Sequence, residues 1–287
     1  MLHKLKVLKA AKGNAIRRTR KLLGIKARPK APVLNQPVAN IIDRHAMICR
    51  RLADLWPPDF SLSGDSVCEI GPGDCLASAA FFVAKGAGHV DLVELQPPVV
   101  NEKQFRILTA LKEMGFSIAP DIISRTPDGF ALNTACISYY TDHMENCRLA
   151  DQHGLVFSHH VLEHVEDLKM VFEASYRALH AGGRTIHVVD LGGHGEFEDP
   201  IPPLDFQTYP DWLFAAMYPA HYRNTRRFLA DYRSAAAQAG FNQIDIRPTR
   251  FAEKNYLASI HPKLRAAARK QPIEDIAVIE FTMTAVK

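Results

Sequence analysis

The sequence predicts an α/β protein with a Rossmann-like, doubly wound sheet. From Ser66 onward, short apolar runs rich in β-branched residues alternate with helical stretches, a pattern typical of a parallel sheet covered on both faces. A glycine-containing turn follows the first apolar run, and an acidic residue ends the second run about 20 residues later, as in doubly wound sheets. The chain has 287 residues, of which 47% are hydrophobic, so it can bury one substantial core.

The elements follow in chain order. From Ala39 to Trp56 apolar residues recur at helical spacing, and Pro57 and Pro58 end this helix. We expect seven strands, at 66–70, 89–95, 136–141, 154–159, 184–191, 242–250 and 276–286. We expect four further helices, at 75–85, 98–114, 165–180 and 225–239. Glycine favours the end of a helix, and one stands at the expected end of each of these four: Gly86, Gly115, Gly182 and Gly240.

The N-terminal segment differs in charge from the rest of the chain. Residues 1–32 hold 11 Lys or Arg and no Asp or Glu, a net charge of +11, whereas the other residues together carry −7. Leu and Ala recur there at helical spacing, so a helix would present an apolar stripe flanked by lysines. We predict a basic arm and linker at 1–34, followed by one domain at 35–287. Residues 1–30 are expected to bind an anionic membrane surface, with a disordered tail or an organellar transit peptide as alternatives.

Composition also excludes several classes of protein. No run approaches the roughly 20 apolar residues of a membrane-spanning helix, and the five cysteines include no C-x-x-C pair that would indicate a zinc ribbon. The arm lacks aromatic residues and the body is acidic, so no nucleic-acid partner is expected. We expect a cytoplasmic protein, located peripherally at the inner face of the plasma membrane.

The strongest motif is Val67-Cys-Glu69-Ile-Gly71-Pro-Gly73-Asp-Cys-Leu76, a strand that runs into glycines and then a helix. Glycines let a ligand approach the backbone, and the helix N-terminus offers free N–H groups. The next strand ends in Glu94, followed by Leu95, and a carboxylate at this position accepts both ribose hydroxyl hydrogens in doubly wound folds. This spacing indicates an adenosine-type ligand.

Two residues favour a sulfonium cofactor over a dinucleotide. The dinucleotide motif needs a third small residue for close helix packing, whereas this chain has Leu76. Glu69 would repel a pyrophosphate but suits a cationic amino-acid group. An NAD-type oxidoreductase is therefore the weaker alternative.

From about residue 66 to the end, the chain resembles class I S-adenosylmethionine-dependent methyltransferases. Residues 69–73 look like the cofactor motif, 155–167 (LVFSHHVLEHVED) resemble the fourth-strand motif of the small-molecule subgroup, and 178–186 resemble its approach to strand five, with Ala181 replacing a proline. The resemblance implies a seven-stranded sheet with an antiparallel last strand and S-adenosylmethionine as cofactor.

The resemblance also implies roles for individual residues. Glu94 would hold the ribose, and Asp142, in an Asp142-His143 match, would contact the adenine amino group. Ser158 and His159 would flank the methionine part of the cofactor.

A long insertion, about 191–224, separates strand five from the next helix. Loops of this length are usually lids or binding loops. This one carries seven aromatic residues: Phe197, Phe206, Tyr209, Trp212, Phe214, Tyr218 and Tyr222. We predict an acceptor pocket for a glycan or other hydroxylated acceptor, although an aromatic acceptor or a plain hydrophobic cover would also fit. Residues 190–228 resemble methyltransferases of bacterial surface-polysaccharide assembly, which implies O-methylation of a sugar hydroxyl.

An alcohol acceptor must lose its proton, and histidine is the usual base near neutral pH. The candidates are His194, then His160, then His221. Asp190 would orient the histidine or, with Glu163 and His194, contribute to a Mg²⁺ site, so dependence on Mg²⁺ stays open. The alternatives are O-, N- or C-methylation of another metabolite or of a lipid head group, and a non-catalytic membrane adaptor.

Overall fold

The computed structural model describes residues 35–56, 62–149, 152–193, 202–217 and 224–287. Nine strands lie in these ranges: Ser66–Ile70 (β1), His89–Glu94 (β2), Ile123–Thr126 (β3), Gly129–Leu132 (β4), Ile137–Thr141 (β5), His153–His159 (β6), Leu179–Asp190 (β7), Asn242–Phe251 (β8) and Val278–Val286 (β9). Nine α-helices accompany them: Val38–Leu55 (α1), Ala77–Ala84 (α2), Glu102–Glu113 (α3), Leu168–Ala178 (α4), Asp211–Met217 (α5), Leu229–Gln238 (α6), Lys254–Ile260 (α7), Ala266–Arg269 (α8) and Ile273–Ile276 (α9).

Seven strands form one sheet in the order β5-β2-β1-β6-β7-β9-β8, and β3 with β4 forms a separate antiparallel hairpin. Strands β1, β2, β5, β6 and β7 are parallel, whereas β9 is antiparallel to both β7 and β8. The predicted α/β fold with an antiparallel last strand is therefore confirmed. Each predicted strand is present, although β7 begins five residues earlier than expected.

One glycine prediction was wrong. Gly86, Gly115 and Gly240 follow helices with positive φ angles of 92°, 88° and 101°, as a C-terminal stop requires. Gly182 lies inside β7 instead, because the chain leaves α4 at Leu179 in an extended conformation. The β3–β4 hairpin and the three short helices α7 to α9 were not predicted from the sequence.

The core has one layer on each face of the sheet. Val67, Leu155 and Phe157 face the side that α1, α2 and α3 cover, and all three are at most 1% exposed. Phe172 and Tyr232, from α4 and α6, pack on the opposite face. Burial of a large apolar side chain contributes about 1.5–3 kcal/mol, so these layers hold the sheet edge in place. Among the described residues, no helix is long and apolar enough to cross a membrane.

Strand direction determines where the polar groups meet. The parallel strands β1, β2, β6 and β7 end at one edge of the sheet, where ligands bind in open α/β folds. Strand β9 runs the opposite way, so its early residue Glu280 pairs with Asp190 at the end of β7. A residue near the C-terminus thereby joins the carboxyl edge.

Candidate active site at the carboxyl edge of the sheet

The turn after β1 requires its glycines. Gly71 and Gly73 have φ angles of 70° and 69°, a region that residues with a Cβ rarely adopt. A Cβ at Gly71 would lie 2.5 Å from Cγ2 of Val161. The Gly71 amide donates to the Val93 carbonyl at 2.8 Å. The turn is thereby fastened to the end of β2.

Glu94 ends β2 directly beside this turn. Its Oε2 accepts the Gly73 amide at 3.2 Å, and its Oε1 accepts the Leu95 amide at 2.6 Å. A carboxylate has about four acceptor positions, so both oxygens can still accept hydrogen bonds from a ligand. The side chain of Leu95 is 52% exposed and provides an apolar surface next to the carboxylate.

The turn offers fewer free amides than the sequence suggested. The Leu76 amide, at the start of α2, donates to Oε1 of Gln104 at 2.9 Å. The amides of Gly71, Gly73 and Leu76 are thus all used inside the protein. The buried Leu76 side chain, 1% exposed, fills the space between α2 and the sheet, where a dinucleotide fold needs a small residue.

Glu69 is a buried carboxyl group with one unpartnered oxygen. It is 3% exposed, and its Oε1 accepts a 2.5 Å hydrogen bond from the Ser78 hydroxyl. Its Oε2 has no hydrogen-bond partner among the described residues. Burial raises the pKa of Glu69 to about 7, against the lowering effect of the Ser78 hydrogen bond, and the charge of Glu94 raises it further. A cationic ligand group would stabilise the ionised form.

Asp142 and His143 lie just after β5 and are exposed. Oδ1 of Asp142 accepts the His143 amide at 2.7 Å and the Asn146 side-chain amide at 2.9 Å. These two hydrogen bonds, the Asn146 bond first, lower the pKa of Asp142. The group is therefore an ionised acceptor that could receive an amino hydrogen, and its role with adenine stays a prediction.

Ser158 and His159 end β6 on opposite faces of the sheet. The Ser158 side chain is fully buried, with its hydroxyl 2.8 Å from Nδ1 of His187, so any contact with a cofactor would have to come from its main chain. His159 lies toward α1, with Nε2 3.4 Å from Nη1 of Arg51. Burial, together with the charges of His160 and Arg51, lowers the pKa of His159 to about 3. This imidazole is neutral at pH 7.

His160 is held in a strained position by Glu280. It has a φ angle of 55°, and its ring lies 4.1 Å from the His159 ring, centroid to centroid. Its Nε2 is 3.0 Å from Oε2 of Glu280. Non-glycine residues in this region cost about 1–3 kcal/mol and cluster at functional sites. The surrounding contacts must therefore fix the His160 main chain.

Glu280 is the centre of a polar cluster. Arg51 makes a bidentate contact with it, with both nitrogen–oxygen distances at 3.1 Å, and the Thr249 hydroxyl donates to its Oε1 at 2.7 Å. Burial alone would raise the pKa of Glu280, but hydrogen bonds from His160 and Thr249 and the charge of Arg51 lower it to about 2. The Glu280 side chain is thus an ionised acceptor. We call Arg51, His160, Thr249 and Glu280 the Glu280 cluster.

Glu163 and Asp190, for which the sequence left a role in a Mg²⁺ site open, lie near this cluster. Oδ1 of Asp190 accepts the Gly192 amide at 2.8 Å and Nη2 of Arg250 at 2.9 Å. Burial, with the charges of Asp190 and Glu280, raises the pKa of Glu163 well above its usual range. Within the ranges that the structure describes, no group of three or more His, Cys, Asp or Glu side chains is placed to hold a metal ion.

The other candidate bases, His194 and His221, lie outside the described residues, as do Phe197, Tyr218 and Tyr222. In the described part of the insertion, Phe206, Tyr209 and Phe214 are buried, whereas Trp212 is 72% exposed. Arg226 holds this part together, with its guanidinium 4.5 Å from the centre of the Phe214 ring. Those three buried aromatics serve the insertion's own packing. Its role in acceptor binding stays a prediction.

Arg51, Thr249 and Glu280 were not predicted as site residues from the sequence. Glu280 carried a signal, because it interrupts the apolar run of β9 and a buried charge needs partners. Arg51 carried none, because its helical position resembles an ordinary exposed face.

The strand order β5-β2-β1-β6-β7-β9-β8, with a glycine turn after β1 and a carboxylate ending β2, defines the class I methyltransferase fold. A family model described as a methyltransferase domain matches residues 69–187, about two fifths of the chain. The family match and the fold agree on a methyltransferase domain at residues 69–187, and S-adenosylmethionine is the cofactor that such a domain implies.

Several solved structures are similar to the chain at low sequence identity. The chain is 16% identical to a protein described as a methyltransferase, in complex with the Haloferax volcanii Trm112 activator, with a TM-score of 0.50 over 91% of this chain and 99% of that one. The chain is 14% identical to a protein described as a methyltransferase from Listeria monocytogenes, with a TM-score of 0.47 over 85% of this chain and 99% of that one. It is 16% identical to phosphoethanolamine N-methyltransferase 2 from Haemonchus contortus, with a TM-score of 0.48 over 85% of this chain and 52% of that one. This chain therefore matches about half of that enzyme. No curated protein matches the chain in sequence.

The residues at the edge fit this cofactor. The unpartnered oxygen of Glu69 suits a cation, the space beside Gly73 is open, and Glu94 can accept ribose hydroxyls. When bound, S-adenosylmethionine supplies an electrophilic methyl group on its sulfonium. The protein must then position the acceptor and manage its proton.

Proposed function

We propose that the protein transfers a methyl group from S-adenosylmethionine to a hydroxyl group of a sugar, in a surface polysaccharide or glycolipid. The observation that supports hydroxyl chemistry is the 3.0 Å contact between Nε2 of His160 and Oε2 of Glu280 at the carboxyl edge. The sugar as acceptor rests on the resemblance of residues 190–228 to methyltransferases of surface-polysaccharide assembly.

The contact with Glu280 defines which nitrogen of His160 can act as a base. An ionised carboxylate only accepts hydrogen bonds, and Glu280 stays ionised because its pKa is about 2. Nε2 of His160 therefore carries the hydrogen, which leaves the lone pair of the neutral ring on Nδ1. That nitrogen can take the proton of an alcohol as its oxygen attacks the methyl group. His160 thus becomes the first candidate base among the described residues.

Two further parts of the proposal concern regions around the site. We propose residues 35–287 as the methyltransferase domain and the insertion at 191–224 as its acceptor-binding part. We propose that the basic arm, through residues 1–30, binds anionic lipid, since it carries a net charge of +11 over its first 32 residues. The arm would bring the enzyme to the inner face of the plasma membrane, where the insertion would bind glycans presented on lipid carriers.

The test is a transfer assay with methyl-tritiated S-adenosylmethionine and a panel of lipid-linked and free bacterial glycans, with Mg²⁺ or with a chelator. Acid hydrolysis followed by mass spectrometry identifies the methylated atom. We expect an O-methyl sugar, and we expect His160→Gln to lose about 10²- to 10⁴-fold in kcat, as is usual for a general base.

The matched control is His180→Gln, because His180 is partly exposed and lies beside Asp65, next to the start of β1, away from the carboxyl edge. It should keep wild-type turnover. A methyl group found on nitrogen or carbon, or an unchanged kcat in His160→Gln, would contradict the proposal.

A further inference from the structure

A groove runs along the part of the sheet that α1 leaves uncovered. It has a volume of about 630 Å³ and lies between the end of α1 and the strands β7, β9 and β8. This volume falls in the range of about 300–1,000 Å³ of small-molecule sites. The groove does not belong to the cofactor site, which lies on the other side of β6.

The floor of the groove mixes polar and apolar groups, and strand alternation places the polar ones. Thr282 and Thr284 point into it, whereas the alternate residues Phe281 and Met283 are fully buried on the opposite face. Asp245, from β8, pairs with Thr284 across the strands and adds a carboxylate. The groove therefore offers hydroxyl and carboxylate groups beside apolar side chains from α1, β7 and β9.

The charges of the groove balance. The carboxylates of Asp54 and Asp245 are matched by the guanidinium groups of Arg184 and Arg247, and Arg247 contacts Asp245 at 2.5 Å. A neutral groove gives no electrostatic preference for the chain's own arm, which is strongly cationic. Trp56 is the aromatic residue in the lining of the groove. Aromatic rings and convergent polar groups together suit the two kinds of surface, C–H and O–H, that a neutral sugar presents.

One end of the groove meets the Glu280 cluster. Thr249 lines the groove and donates its hydroxyl hydrogen to Oε1 of Glu280 at 2.7 Å. Arg51, which contacts the same carboxylate, lies one helical turn before Leu55 at the groove wall. A chain lying in the groove would therefore lead to His160.

We infer that this groove binds the saccharide units next to the sugar that is methylated, so that the acceptor is an oligosaccharide or polysaccharide chain. This inference rests on the proposed function. The groove would bind the glycan chain along Thr284 and Asp245, and His160 would activate the hydroxyl that is methylated.

The groove is tested by filling it. Thr284→Trp places a large side chain on its floor, and Asp245→Ala removes a carboxylate whose partner Arg247 stays solvated. The control is Ser124→Trp, on the exposed β3–β4 hairpin. Each purified full-length protein is applied to an array of defined bacterial surface glycans, from monosaccharides to hexasaccharides, and titrated with S-adenosylhomocysteine to check the cofactor site.

We expect wild type and Ser124→Trp to bind chains of three or more units. Both groove variants should lose at least tenfold in that affinity and keep wild-type affinity for S-adenosylhomocysteine. In transfer assays they should lose kcat/KM for the long acceptor and not for its single-unit glycoside. Glycan binding without any methyl transfer would refute the proposed function and leave the groove standing.

Two results would overturn the inference. One is the absence of binding to every glycan on the array. The other is unchanged glycan binding in Thr284→Trp. If residues 1–34 of that variant are also cleaved faster by protease, the groove is assigned to the chain's own arm.

Discussion

Replacement of Glu280 by Gln should destabilise the protein by about 3 kcal/mol at pH 7. The side chain is 3% exposed and accepts hydrogen bonds from Arg51, His160 and Thr249. Its pKa falls from 4.5 to about 2 in the folded protein, and a shift of about 2.5 units corresponds to roughly 3 kcal/mol. Removal of one partner from a buried ion pair costs a similar amount, about 3–5 kcal/mol.

The pH dependence gives the sharper form of this prediction. Because the folded pKa of Glu280 lies below the unfolded value, its contribution is fully present above about pH 5 and is lost as the pH falls through 4.5 toward 2. Urea denaturation of wild type and Glu280→Gln at several pH values should show a stability difference that shrinks as the pH falls. Glu253→Gln, at an exposed position, is the control. A difference that is absent, or equal at pH 7 and pH 3, would refute the reasoning.

Three further predictions concern single side chains. Gly71→Ala should lower the melting temperature and weaken S-adenosylhomocysteine binding. The new Cβ would lie 2.5 Å from Cγ2 of Val161, and the φ angle of 70° is strained for alanine. An unchanged melting temperature would contradict this prediction. Binding of S-adenosylhomocysteine should release a proton from Glu69 near pH 7, since its pKa is about 7 and a cationic amino group lowers it. Calorimetry in two buffers of different ionisation enthalpy measures that release, which Glu69→Gln should abolish. His153→Ala should cost about 1.5–3 kcal/mol in urea denaturation, because it removes the 2.7 Å hydrogen bond to the buried carboxylate of Asp91, which keeps a longer contact with His89 at 3.5 Å. A loss under about 1 kcal/mol would contradict the assigned contact.

The sequence predicted the features that depend on local pattern. Strand and helix periodicity places the seven strands of the sheet, and the spacing from Glu69 to Glu94 follows from one strand, one helix and the next strand. Both parts of that motif lie within 26 consecutive residues. Their meeting at one sheet edge follows from the parallel connection alone.

Long-range contacts were not predictable in this way. Arg51 and Glu280 are 229 residues apart in sequence, and their meeting depends on how α1 crosses the sheet. The β3–β4 hairpin lacks the alternation of a half-buried pair, since most of β3 is exposed. The prediction that Gly182 ends a helix failed because a glycine in the left-handed region can stop a helix or, as in β7, lie within an extended segment.

The most direct test of the cofactor site is a calorimetric titration of wild type and Glu94→Ala with S-adenosylhomocysteine, with NAD as a control ligand. A hydrogen bond to a charged group is worth about 1.5–3 kcal/mol, so the variant should bind about 10- to 100-fold more weakly. NAD should not bind either protein. Equal binding of S-adenosylhomocysteine by both proteins, or binding of NAD by the wild type, would contradict the account of the cofactor site.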